Sequence, residues 1–163
     1  MTRLGFGYDA HKFGNEKPLV LGGVTIPYDR GLKAHSDGDV ILHAIIDALL
    51  GAAALGDIGS HFPDNDPKYE RCSSLLLLCE VRSMLLQAGY SVQNIDCTLV
   101  AQKPKILSYV PQMCRCISEA LDIDIGRVSV KGKTTEGMGF AGREEGMECY
   151  AICSIVASEK KND

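Results

Sequence analysis

Apolar and polar residues fall into short, punctuated runs from the start of the chain. RLGFGYD (3–9) and PLVLGGVTIP (18–27) have the composition and bounding glycines and prolines of short strands, separated by the turn-forming GNEKP (14–18). The period changes at residue 39. In DVILHAIIDALLGAAAL, apolar residues occupy almost every helical position, which predicts a buried helix over about 39–55 that stops at Gly56. Ser36, with Asp39 three positions on, has the form of an N-cap and its reciprocal acidic partner. GDIGSHFPDNDP (56–67) reads as an ordered loop. YERCSSLLLLCEVRSMLLQAG (69–89) reads as a second helix ended by Gly89. SVQNIDCTLVAQ (91–102) returns to strand alternation with one irregularity, and a helix over 108–121 tolerates Pro111 only in its first turn. RVSVKGK (127–133) and GMECYAICSIVA (146–157) close the chain as strands, joined by the loop TTEGMGFAGREE. Strands thus bracket three helices, two of them in succession. That order predicts an α/β or α+β protein with a single sheet packed by helices, and not a doubly wound fold.

Length and composition narrow the picture further. The chain has 163 residues and shows no repeat, linker or low-complexity tract, so residues 1–163 are expected to form one domain. Apolar residues make up 45% and charged residues 23%, an ordinary globular balance. The net charge of −4, with scattered lysines and arginines, argues against a nucleic-acid partner. The longest apolar run is interrupted by His43 and Asp47 and is too short for a bilayer, so no membrane association is expected. MTRLGFGYDAH enters patterned sequence with neither a signal nor a transit segment, which points to the cytoplasm. Seven cysteines without a CxxC pair suit core packing in a reducing compartment.

The chemistry-bearing residues cluster. Asp9 and His11 are i and i+2, so a strand turns both to one face. Asp39, His43 and Asp47 are i, i+4 and i+8, a stripe on a helix that is otherwise apolar all round. Buried charges of this kind persist only when paired or bound to metal. Asp9, His11 and His43 would offer one carboxylate and two imidazoles, suited to zinc with an open fourth position or to a non-haem iron centre. Asp47 or Asp39 would then orient His43. The plainer alternative is a core histidine hydrogen-bonded to Asp47, with Asp9 capping a turn. A second constellation joins AQKPKIL (101–107) to KGKTTEGMGF (131–140): lysines, hydroxyls and a carboxylate at strand ends suit a polyphosphate and its bridging cation. Asp57, Asp64 and Asp66 are either ligands or turn formers.

Taken in order, these segments resemble the 2-C-methyl-D-erythritol 2,4-cyclodiphosphate synthase family of the non-mevalonate isoprenoid pathway. The resemblance covers G-Y-D-x-H (7–11), L-G-G-V-x-I-P (21–27), A-H-S-D-G-D (34–39), H-A-x-x-D-A-L-L-G-A (43–52) and G-D-I-G (56–59). It continues through F-P-D-x-D (62–66), A-Q-x-P-K (101–105), T-T-E-G-M-G-F (134–140) and G-R-x-E-G (142–146).

The resemblance implies a lyase that cyclises 4-diphosphocytidyl-2-C-methyl-D-erythritol 2-phosphate with release of CMP. It implies zinc held by Asp9, His11 and His43, and magnesium or manganese held by Glu136 between the nucleotide phosphates. His35 and Ser36 would contact the substrate phosphate, with His35 and Thr134 supporting the transition state. Asp57, Ile58 and Gly59, then Phe62, Pro63, Asp64, Asn65 and Asp66, would line the methylerythritol pocket. Ala101, Gln102, Lys103, Pro104, Lys105, Ile106 and Leu107 would hold the cytidine diphosphate, with Lys133, Thr134, Thr135, Glu136, Phe140 and Arg143. Lys133 stands where many relatives carry threonine, and Met147 where isoleucine is common. The implied protomer is related to the ferredoxin-like sandwiches, in a homotrimer with active sites between subunits. Two other readings use the same three ligands: an iron-dependent oxygenase, and a structural zinc module closed by His35 as fourth ligand.

Overall fold

The computed structural model describes residues 1–15 and 18–158. Along the chain lie β1 (Thr2–Gly14), β2 (Leu19–Leu21), β3 (Val24–Ile26), β4 (Gly31–Leu32), α1 (Val40–Ala53), α2 (Ile58–His61) and α3 (Ser74–Gln87). They are followed by β5 (Tyr90–Val100), α4 (Val110–Leu121), β6 (Val128–Lys133), α5 (Gly139–Gly142) and β7 (Gly146–Ala157). Five strands form one mixed sheet in the order β4-β1-β7-β5-β6. β7 runs antiparallel to both β1 and β5, and β6 is parallel to β5. This is the single helix-packed sheet that the element order predicts. Within the predicted turn GNEKP, Glu16 and Lys17 lie outside the described residues.

The first strand is longer than its apolar run suggests. Its ladder with β7 continues from Thr2 opposite Val156 to Lys12 opposite Gly146, so Asp9 and His11 lie inside paired strand and not at its end. Strand alternation then places Gly5, Gly7, Asp9, His11 and Phe13 on the helix side, while Leu4, Phe6 and Tyr8 are exposed on the other. The residues 18–27 form a separate hairpin, β2 with β3, turned by Gly22 and Gly23 at positive φ. The irregularity predicted in the fifth strand is a register shift between Val92 and Asn94.

α1 is the central element of the core, and Val40, Ile41, Leu42, Ala44, Ile45, Ile46, Leu49 and Leu50 have no solvent exposure. Burying one such branched side chain stabilises by about 2 kcal/mol. Its N-cap is Asp39, which accepts from the Leu42 N–H, and not Ser36. Its end comes at Ala53, with Ala54 in the left-handed conformation before Gly56 is reached. α3 begins at Ser74 rather than at 69. Before it the chain makes a single 3-10 turn over Pro67–Tyr69 and then bonds back to 35–37: the Arg71 N–H donates to the His35 carbonyl, and the Asp37 N–H to the Cys72 carbonyl. Arg71 itself sits at positive φ, which no helix interior accepts. The loops predicted at 56–67 and 134–145 each contain one short helix, α2 and α5.

Candidate metal centre and active site

β1 presents Asp9 and His11 to α1, and α1 presents His43 to β1. The three donor atoms meet: Asp9 Oδ2 lies 2.9 Å from His11 Nε2 and 3.1 Å from His43 Nδ1, and the two ring nitrogens are 3.1 Å apart. Ligands about 2.0–2.1 Å from a tetrahedral ion would be separated by roughly 3.3 Å, so this triangle fits a small divalent cation. Among the described residues, Asp9, His11 and His43 are the one such cluster of potential ligands. Burial opposes ionisation of Asp9, but hydrogen bonds from His11 and His43 outweigh it and hold the carboxyl well below its usual range. Burial likewise opposes charging of His43, and the Asp9 carboxylate reverses that, raising the imidazole pKa.

Neither acidic residue on the helix stripe orients His43. Asp39 turns away to the hairpin, accepting from the Gly22 and Gly23 N–H groups at 2.9 and 2.7 Å and from Leu42 at 3.1 Å. Its carboxyl is fully buried, and that burial pushes its pKa up to about 6 against the pull of those N–H groups. Asp47 accepts from the Ile58 N–H at 2.7 Å and so ties the loop after α1 to the helix. The far nitrogen of His43 meets two hydroxyls instead, Ser74 Oγ at 3.0 Å and Ser36 Oγ at 3.1 Å. Ser74 was not among the expected site residues: it falls inside the helix expected over 69–89, and nothing local says that it lies 31 residues in sequence from the imidazole it contacts.

The triad opens onto a cavity of about 370 Å³. His35 and Ser36 line it together with Ile58, Gly59, Phe62 and Asp64, and Lys33, Ala34 and Tyr69 add walls that the sequence did not single out. Pro63, Asn65, Asp57 and Asp66 are not on that wall. Asp57 caps α2 by accepting from Ser60, and Asp66 caps the following turn by accepting from the Lys68 N–H, so both act as turn formers in this chain. His35 reaches the Asp66 carbonyl at 3.4 Å and is not part of the ligand triangle.

The lysine- and threonine-bearing segments form a second cavity of about 470 Å³ at the ends of β5 and β6. Ala101, Pro104, Lys105, Ile106, Leu107, Lys133 and Thr134 line it. Gln102 joins the two segments by accepting from the Thr135 N–H at 3.2 Å. Thr134 Oγ1 donates to Glu136 Oε1 at 2.9 Å. Phe140 lies elsewhere, beside His11 and Lys12, and Arg143 is exposed and paired with Glu145 at 2.7 Å. Lys103 points to Glu144 at 3.9 Å. The two cavities share no lining residue within one chain.

The YgbB family profile matches residues 2–156, which is nearly the whole chain. The chain belongs to the YgbB family. Among its curated relatives in that family is a Clostridium botulinum (strain Kyoto) protein named 2-C-methyl-D-erythritol 2,4-cyclodiphosphate synthase. It is 54% identical over 94% of this chain and 99% of its own length. A Plasmodium falciparum structure described as an IspF CDP complex superposes with a TM-score of 0.84 at 37% identity, covering 97% of each chain. The bifunctional IspDF of Campylobacter jejuni superposes with a TM-score of 0.93 at 43% identity, covering 96% of this chain; the chain spans 42% of that longer protein.

Proposed function

We propose that this YgbB-family chain is a single catalytic domain acting as a phosphorus–oxygen lyase. It converts 4-diphosphocytidyl-2-C-methyl-D-erythritol 2-phosphate to 2-C-methyl-D-erythritol 2,4-cyclodiphosphate and CMP, in the non-mevalonate route to isoprenoids. The observation that carries this reading is the convergence of Asp9, His11 and His43 on one wall of a cavity that also holds His35, Ser36 and Asp64. The names of its relatives and the CDP complex of a structural neighbour point the same way.

In the reaction an oxygen of the 2-phosphate bonds to the β-phosphorus, the bond from that phosphorus to the bridging oxygen breaks, and CMP leaves with the electron pair. A phosphate dianion is already a nucleophile, so no activated serine or cysteine is required. The protein must hold two anionic groups in line and exclude competing water. Asp9, His11 and His43 would hold zinc, and Glu136 would hold magnesium or manganese. Bound there, such cations would neutralise phosphate charge and polarise phosphorus–oxygen bonds. His35 and Ser36 then orient the attacking phosphate, Thr134 supports the transition state, and Asp64 offers a carboxylate to the diol. The 101–107 and 133–136 segments would grip the cytidine diphosphate.

Two features support an active site shared between copies in a homotrimer. The metal-side and nucleotide-side cavities are separate within one chain. The sheet face away from the helices exposes a contiguous apolar strip, Leu4, Phe6, Tyr8, Tyr150 and Ile152, with Tyr8 and Tyr150 ring centroids 5.1 Å apart. A patch of that kind on a sheet face marks a protein interface. The seven free cysteines favour a reducing cytoplasm, and no helix among the described residues is long and apolar enough to cross a membrane. Incubation with the diphosphocytidyl substrate, followed by phosphorus NMR, tests the reaction: CMP and a cyclic diphosphate should appear in equal amounts. Recovery of unchanged substrate from folded, metal-supplied protein would refute it.

A further inference from the structure

Behind the ligand triangle, a buried hydroxyl and a carboxylate stand in line with His43. Ser74 has no solvent exposure and its Oγ is 3.0 Å from His43 Nε2. The same Oγ donates to Asp37 Oδ1, and the other Asp37 oxygen accepts from the Ser74 N–H at 2.9 Å. Asp37 as a carboxylate can only accept, so the Ser74 proton is committed to it. What remains on Ser74 Oγ toward His43 is a lone pair. From this geometry we infer that Asp37 and Ser74 are positioning residues that set the neutral His43 tautomer: Nε2 keeps its proton and donates to Ser74, so the proton that Nδ1 shares with Asp9 in the metal-free protein is the one the cation displaces.

The direction of this relay matters because the two ring nitrogens of a histidine are not equivalent, and the bond made by one decides what the other can do. Ser36 Oγ is as close to Nε2, but it is part-buried, accepts from the Gly38 N–H at 3.3 Å and lines the cavity, so it is free to turn to a ligand. Ser74 has no such freedom. It is the first residue of α3, and Asp37 binds both its N–H and its hydroxyl, so the start of that helix is fastened to the ligand on α1. Asp37 Oδ1 also accepts from the Asp39 N–H at 3.2 Å, so an asparagine there would set its amide against a backbone N–H in either orientation. Asp37→Ala removes the acceptor to which the Ser74 proton is committed. The serine proton is then free to point at Nε2, which leaves the imidazole proton on Nδ1, where the cation must bind.

The inference rests on the metal reading proposed above, and the test separates the two. Zinc dissociation constants are measured by competition with a chromophoric chelator, alongside the melting temperature of each metal-free protein. Ser74→Ala and Asp37→Ala should each weaken zinc binding about 10- to 100-fold, the range for groups that orient a ligand. Ser74→Thr, which keeps the hydroxyl, should stay close to wild type. Zinc affinity unchanged in a folded Ser74→Ala protein would overturn the relay and leave the metal reading intact. Wild type that takes up no zinc would overturn both. If Ser74→Ala does not fold, long-range proton–nitrogen NMR on zinc-loaded wild type decides: a proton on His43 Nε2 supports the relay, and zinc on Nε2 contradicts it.

Discussion

Gly7 on β1 and Ala44 on α1 touch backbone to backbone: a Cβ placed on Gly7 would lie 1.9 Å from the Ala44 carbonyl oxygen. One strand repeat away, a Cβ on Gly5 would lie 1.8 Å from the Ala48 carbonyl. No side chain fits between strand and helix here, so the helix lies directly on the strand. His43 precedes Ala44, and Asp9 and His11 follow Gly7 on the same face. The close approach is what brings the three candidate ligands within reach of one another.

Gly7→Ala is therefore expected to destabilise the fold by about 3 kcal/mol or more, because the clash is with backbone and only movement of the helix relieves it. Thermal unfolding checks this, with Gly51→Ala as the control. Gly51 is exposed on the same helix with nothing within 4 Å of an added Cβ, and alanine there should stabilise by up to about 1 kcal/mol. Equal melting temperatures for Gly7→Ala and wild type would contradict the packing.

Asp39 gives a pH signature. Its folded pKa of about 6 lies above that of a free aspartate, so its ionised form weakens the fold at neutral pH. Its contribution is most favourable below the unfolded pKa and is lost as pH rises through about 6. The rise from the free value to about 6 corresponds to about 3 kcal/mol at most. Asp39→Asn removes that proton exchange. The stability of wild type relative to Asp39→Asn should therefore increase as pH falls from 8 to 5, measured by urea unfolding of metal-free protein. A pH-independent difference would show that Asp39 titrates normally.

Much of this was legible in the sequence because the signals were local. The all-round apolar period of 40–53 marks a buried helix, and the i, i+2 spacing of Asp9 and His11 fixes a common face once the strand is granted. The role of Asp39 was not. Its place in the i, i+4, i+8 stripe suggests a partner for His43, but as the N-cap it lies outside helical geometry, and besides the Leu42 N–H its carboxylate accepts from two glycine N–H groups in a distant hairpin turn. Ser74 escaped for the same reason: its contact with His43 is made by tertiary packing, and its sequence context says only that it lies in or near a helix.

The proposed sharing of sites between copies predicts complementation. Phe6→Glu, on the exposed sheet face, should shift the protein from trimer to monomer in analytical ultracentrifugation, since a charge there cannot be buried unpaired. Mixing inactive Asp9→Ala with inactive Thr134→Ala, under conditions that let subunits exchange, should restore about a quarter of the wild-type sites, those formed from one intact half of each. Activity that never rises above that of the separate variants would place each whole site within one chain.

On the proposed reading, the Asp9–His11–His43 grip holds the cation on which cyclisation depends. Zinc content and CMP release, measured on the same preparations of wild type and His43→Ala, test it most directly. Wild type should carry about one zinc per chain at this grip, and His43→Ala should lose it together with turnover, by on the order of 10³-fold. Wild-type CMP release from a His43→Ala protein that holds no zinc would contradict the account.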